Sequence, residues 1–270
     1  MSETTLGREA LGRITGDVAP SPDEADDQSP VVDHDNGRSG KWDGAWPVRK
    51  RETGQLLLAL ACVIGIFSVI GLLYTDWFAP NAITRLDDRV AEAAADNRTK
   101  FLTDAVPWVA FPADTFTKIG ISAVICLFFL WRWRRWYEAV YVALPLVFEA
   151  SAFITTTHLV GRDRPRVERL LDSQVASSYP SGHVAAATVY FAVAVIVIRH
   201  TRSAAVRALA VALAMIVALG VAWARVYQGM HFLTDVMAGI LLGAVSLTIT
   251  HRVLRRHEPD DLEPLSLRPR

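Results

Sequence analysis

Apolar runs long enough to cross a lipid bilayer recur along this sequence and narrow its possible folds at once. A helix rises about 1.5 Å per residue, so roughly 20 mainly apolar residues traverse the hydrocarbon core. Residues 55–77, 136–160, 206–226 and 232–254 qualify outright. Two further runs are weaker: 107–131 carries Asp114 and Lys118 in its first half, and 182–198 is short but uncharged, apart from His183, until its end. Lipid offers no partner to a free backbone N–H or C=O, so spanning segments must close their hydrogen bonds within a helix or a sealed barrel. With no solenoid-type repeat, the pattern predicts an all-α fold, a bundle of six transmembrane helices.

The remaining sequence sorts around these spans. The first fifty residues hold ten acids and the Pro/Asp/Ser-rich stretch 19–35, a composition too polar to bury a core. The expected organisation is a disordered cytoplasmic N-terminal tail over 1–52, a membrane domain over 53–256 and a cytoplasmic C-terminal tail over 257–270. No short apolar region with a small-residue cleavage site opens the chain, so the first apolar run is expected to stay in the protein. Cys62 and Cys126 each lie inside an apolar run, which leaves no basis for a disulfide framework or a cysteine metal site.

Orientation follows from the cations in the short connections, which favour the cytoplasm. Arg49, Lys50 and Arg51 precede the first span, and Arg132, Arg134 and Arg135 follow the second; Arg199, Arg202 and Arg207 surround the fourth-to-fifth turn, and Arg252, Arg255 and Arg256 close the sixth. All four clusters fall on one side. Both termini are therefore expected in the cytoplasm of a multi-pass cell-membrane protein. Trp131, Trp133 and Trp136 alternate with arginines, but headgroup-level aromatic belts explain that pattern better than a nucleic-acid patch. The outer loop after the third span breaks the trend, carrying Arg162, Arg164, Arg166 and Arg169. Anion binding supplies a reason for cations there.

Three sequence pieces converge on that outer face. Gly161-Arg162-Asp163-Arg164-Pro165 ends the third span, Pro180-Ser181-Gly182-His183 opens the fourth, and Arg225, His231 and Asp235 straddle the fifth and sixth. A Pro-Ser-Gly helix start directs free amides and the positive dipole end at an anion. His183, in that first turn, is placed to protonate a leaving oxygen. His231 and Asp235 are four apart and share a helix face, so the carboxylate can hold the ring tautomer that exposes a nucleophilic nitrogen.

From about residue 105 to 254 the chain resembles the type 2 phosphatidic acid phosphatase superfamily, which is related to the vanadium haloperoxidases. Its first motif, K-x6-R-P, is matched by Arg164-Pro165 with Thr157 in the lysine position. Its second, PSGH, is intact as Pro180 to His183, and its third, S-R-x5-H-x3-D, is matched by Arg225, His231 and Asp235 with Ala224 in the serine position. The resemblance implies an integral membrane lipid phosphatase on the extracytoplasmic face, acting on phosphatidate or a polyprenyl diphosphate. His231 would attack phosphorus to form a phosphohistidine, Asp235 would orient it, and His183 would protonate the leaving alkoxide. Arg164, Arg225, Ser181 and the Gly182 amide would hold the phosphoryl oxygens. Arg162 or Lys118 would supply the cation that Thr157 does not.

The resemblance implies no metal and no cofactor. Its partners are a lipid phosphate substrate and membrane lipids, with no nucleic acid, and it indicates no oligomeric state. The alternative is a catalytically inactive membrane protein that binds lipid phosphates. On the residues alone, Lys118 would pair with Asp114, four positions earlier on one helix face.

Overall fold

A computed structural model describes residues 46–77, 81–172 and 175–259. The first 45 residues of the expected N-terminal tail, and the C-terminal tail beyond residue 259, lie outside them. The described residues form nine α-helices and no strand. In chain order these are α1 (Lys50–Leu72), α2 (Ala82–Asp96), α3 (Lys100–Ala110), α4 (Thr115–Trp133), α5 (Tyr137–Val160), α6 (Gly182–Val189), α7 (Phe191–His200), α8 (Ala204–Tyr227) and α9 (Leu233–Leu254). Among the described residues, six helical runs are long and apolar enough to cross a membrane: Lys50–Thr75, Thr115–Trp133, Tyr137–Val160, Gly182–His200, Ala204–Tyr227 and Leu233–His257. The chain is an all-α bundle of six transmembrane helices.

The second span begins at Thr115 rather than at residue 107. Pro112 lies in a one-turn 3-10 segment, Phe111–Ala113, after which Asp114 takes an extended conformation and starts α4 afresh. Proline has no N–H to continue a ladder, which explains the break. The fourth span is two helices meeting at Tyr190, whose hydroxyl donates to Pro112 O at 2.8 Å. The segment 81–105 between the first two spans folds into α2 and the start of α3. Asn81 Oδ1 accepts from the amides of Ile83 and Thr84, and Thr99 Oγ1 accepts from Leu102 N, so each helix carries its own N-cap.

Packing separates an inner set of helices from an outer one. Half of the α5 span is buried, whereas α4 and α8 present Phe116, Ile119, Val124, Leu127, Leu213, Ile216 and Leu219 outward. Such a surface is unfavourable in water and suited to lipid. The closest approach is between α6 and α9. A Cβ on Gly239 would lie 2.5 Å from Ser181 O, and one on Gly243 2.5 Å from Ala185 O. Small residues at i and i+4 let two helix backbones touch, which is how apolar helices associate when lipid removes the hydrophobic drive. This contact brings the start of α6, with His183, against α9, which begins two residues after His231.

All four cation clusters fall at one end of the bundle. Glu52 and Gln55 at the start of α1 meet His257 and Arg256 beyond α9. Arg199 pairs with Glu258, and Glu138, after the α4–α5 turn, binds both Arg135 and His200. The end that carries His183 and His231 is the opposite one.

Gly243→Val is expected to wedge α6 from α9. Overpacking a tight contact costs about 1–3 kcal/mol, so the thermal unfolding midpoint in detergent should fall. An unchanged midpoint would remove the contact from any role in holding the bundle.

Candidate active site

A cavity of about 440 Å³ at the end opposite the cation clusters is lined by Arg164, Gly182, His183, Arg225, Met230 and His231, together with Asp114, Lys118 and Phe153. Most of them come from helix ends or from the loops that join them. The first turn of α6 leaves its leading amides without intrahelical acceptors, so Gly182 and His183 present N–H groups as well as a side chain. Arg225 is in the last turn of α8, which ends at Tyr227. Gly229, at φ +70°, then reverses the chain where a Cβ would lie 2.8 Å from Glu168 O. That turn places His231 opposite Arg225.

His231 is buried, and its Nδ1 lies 2.7 Å from Ser178 O. A carbonyl only accepts, so Nδ1 carries the hydrogen and Nε2 keeps its lone pair. Asp235, expected to hold this ring, is 3.9 Å from Nδ1 and bonds elsewhere. Its Oδ2 accepts from Phe232 N and its Oδ1 from Arg162. Burial first, then the positive charges of Arg164 and Arg225, push His231 well below the usual histidine value. The imidazole is neutral at neutral pH, as a nucleophile requires.

Arg164 donates to three carbonyls, those of Met230, Val175 and Ser177, which pins its guanidinium at the cavity wall. Burial lowers its pKa, with Asp235 acting against that. Arg225 is nearly fully enclosed; it donates to Gln228 Oε1 at 3.2 Å and to Asp114 Oδ1 at 3.0 Å. The hydrogen bond from His183, then the charge of Arg225, hold the Asp114 carboxyl below its usual value against the effect of burial.

The structure separates the remaining candidates. Arg162 does not line this cavity. Its guanidinium spans Asp87 Oδ2 at 2.9 Å and Asp235 Oδ1 at 2.5 Å, and stacks between the rings of Tyr74 and Phe232. The two carboxylates outweigh its burial and raise its pKa. Thr157 is buried within α5 and also outside the cavity lining. Ser181 is fully buried, and its amide donates to Asp235 O at 3.0 Å. Lys118 lines the cavity, and among the described residues it forms no salt bridge with Asp114, which His183 and Arg225 engage instead. The i,i+4 pairing expected for Lys118 is thus replaced by tertiary partners of its acid.

Sequence reasoning missed the Ser178 carbonyl, a backbone atom that no side-chain pattern marks, and Asp87, one acid among several on α2. Asp114 carried a signal, a charge at the edge of a span, but its partners are 69 and 111 residues away.

Four residues, Thr115, Lys118, Phe153 and Val175, also line a second, largely apolar groove of about 660 Å³ between α4 and α5. Its walls include Ile119, Val147 and Ile154, which face outward from the bundle. The polar cavity and this groove share a boundary at Lys118.

Comparison with known proteins places this geometry in context. Residues 141–259 match the PAP2 superfamily. The chain is 29% identical over 154 residues to YbjG of Escherichia coli (strain K12), an undecaprenyl-diphosphatase candidate; the match covers 53% of this chain and 72% of YbjG. It is 25% identical over 167 residues to phosphatidylglycerophosphatase B of Bacillus subtilis (strain 168), covering 60% of this chain and 80% of that protein. In fold it resembles the crystal structure of a transmembrane PAP2-type phosphatidylglycerolphosphate phosphatase from Bacillus subtilis, with a TM-score of 0.64 and 20% identity, over 75% of this chain and 98% of that one.

Arg162→Ala is expected to leave Asp87 and Asp235 buried without their shared cation. Removing one partner of a buried pair costs about 3–5 kcal/mol, so the variant should melt far below the parent in detergent, and Arg162→Lys should recover part of the loss. A parental melting temperature for Arg162→Ala would show that the bridge carries no stability.

Proposed function

From the match of residues 141–259 to the PAP2 superfamily, we propose that this protein is an integral membrane phosphatase that hydrolyses a lipid phosphomonoester or diphosphate. The observation that carries the reading is a pair of adjacent cavities. The polar one holds His183 and His231 among Arg164, Arg225 and Lys118, and it shares Lys118 and Phe153 as lining with an apolar groove suited to a lipid chain.

In this reading His231 Nε2 attacks phosphorus while the bond to the lipid oxygen breaks, and His183 gives that oxygen its proton. Water then attacks the phosphohistidine, His183 accepts its proton, and inorganic phosphate leaves. Phosphoryl transfer is helped mainly by charge placed around the equatorial oxygens. Arg164, Arg225, Lys118 and the Gly182 amide supply it, so the reaction needs no metal. Lys118 takes the part of the motif lysine that Thr157 replaces, because Arg162 is committed to Asp87 and Asp235. Asp235 acts on His231 through Arg162, Phe232 N and its nearby charge. The names of the relatives, an undecaprenyl-diphosphatase candidate and a phosphatidylglycerophosphatase, support a prenyl diphosphate or a glycerophospholipid phosphate as substrate. The cation clusters at the other end of the bundle support a site on the extracytoplasmic face, with both termini cytoplasmic.

The purified protein, assayed in detergent and EDTA against phosphatidate, phosphatidylglycerophosphate and undecaprenyl diphosphate, is expected to release phosphate from at least one of them. His231→Ala should release none, and Lys118→Ala should be slower by roughly ten-fold, the weight of one charge-assisted hydrogen bond made in the transition state. Turnover by His231→Ala would overturn the nucleophile, and magnesium-dependent rescue from EDTA would overturn the charge assignment.

Orientation has its own measurement. Arg169 is exposed in the outer loop. Arg169→Cys, in a background without Cys62 and Cys126, should react with an impermeant thiol reagent in intact cells. Reaction only after lysis would reverse the topology.

A further inference from the structure

The carboxylate of Asp114 engages two of the groups that the proposed reaction gives to a bound phosphate. Its Oδ1 accepts from Arg225 Nη2 at 3.0 Å and lies 3.3 Å from His183 Nε2. Both partners are groups that the proposed reaction gives to the phosphoryl oxygens, and they come from α8 and α6, whereas Asp114 reaches across from the head of α4. Enclosure differs among the three. The side chain of Arg225 is 3% exposed and that of His183 32%, against 48% for Asp114. Arg225 is also held by Gln228. The carboxylate is therefore the member that can leave with least disturbance, since rotating outward returns it to water.

A second observation supplies its destination. Asp114 is the N-cap residue of α4, with extended backbone angles of φ −63° and ψ 145°, yet its side chain makes no capping bond. Aspartate at this position ordinarily accepts from the second or third helical amide, here Phe116 or Thr117. The positive end of the helix dipole favours the same move.

From these observations we propose that Asp114 is an internal anion that fills the phosphate seat of the empty enzyme and withdraws to the N-cap of α4 when a terminal phosphate arrives. The proposal rests on the lipid phosphatase reading and adds a substrate rule to it. An anion enters only by displacing one carboxylate. A terminal phosphate, which carries up to two negative charges, competes well. A phosphodiester headgroup carries one, no more than Asp114 itself, so the bulk phosphodiester lipids of the bilayer are turned away. The same carboxylate returns after hydrolysis and drives inorganic phosphate out.

The test compares the full chain with Asp114→Asn, which keeps a capping side chain of similar size at the start of α4. Inorganic phosphate is titrated calorimetrically into each protein in detergent, and phosphatidate hydrolysis is measured with and without phosphatidylglycerol. The variant is expected to bind phosphate roughly ten-fold or more tightly, the factor carried by one charge-assisted hydrogen bond. Its KM should fall, and phosphatidylglycerol should become an inhibitor. Equal or weaker phosphate binding by the variant overturns the proposal and leaves the phosphatase reading intact. A fall in kcat without tighter binding also overturns it and makes Asp114 a positioning residue for His183. If neither protein binds phosphate and none of the lipid phosphates is hydrolysed, both the reading and the proposal fail.

Discussion

One guanidinium, that of Arg162, bridges Asp87 and Asp235 at the outer edge of the bundle, and the site geometry depends on it. Asp87 belongs to α2 and also accepts from Tyr74 beyond α1 and from Thr234 at the head of α9. Asp235 fixes the turn into α9 by accepting from Phe232 N, and its carbonyl receives the Ser181 amide at the head of α6. The ends of α1, α2, α5, α6 and α9 thus meet on one charged centre. Two carboxylates enclosed this deeply would repel each other without a cation between them, and a planar guanidinium presents its two amino ends in directions that suit both.

The two cavity histidines inherit their positions from this arrangement. His231 lies between α8 and α9, its Nδ1 on the Ser178 carbonyl; Ser178 is in turn bonded to Arg162 O and Asp163 O. His183 arrives through the contact of α6 with Gly239 and Gly243 of α9. Under the proposed reading, donors already held around the cavity would need no reorganisation as a phosphoryl group is transferred. The apolar groove beside it lies between α4 and α5, and Lys118 lines both.

Residue roles expected from motif spacing met the structure unevenly. His183, Arg225, His231, Arg164 and Gly182 share one cavity. Arg162 and Asp235 are joined to each other instead, and Thr157 and Ser181 are buried beside the cavity without lining it. The pairing expected between Asp114 and Lys118 rested on helical periodicity, which holds only if nothing else competes. Arg225 and His183 compete, from 111 and 69 positions away, and they win because they are more enclosed than a lysine at the head of a helix.

The sequence by itself determined that the chain is helical, that it crosses a membrane six times and that its cations collect at one end. Each of these follows from local composition, because lipid penalises every unpaired backbone group and the length of an apolar run decides whether it spans. The PSGH and R-x5-H-x3-D spacings likewise named the two histidines, since helix starts and i,i+4 faces are local geometry. Only the tertiary structure decided which acid meets which base. Asp87 with Arg162, Asp114 with Arg225 and His183, and the Ser178 carbonyl with His231 are contacts between distant segments. Their strength depends on burial and on the third partner present, quantities that no stretch of sequence contains.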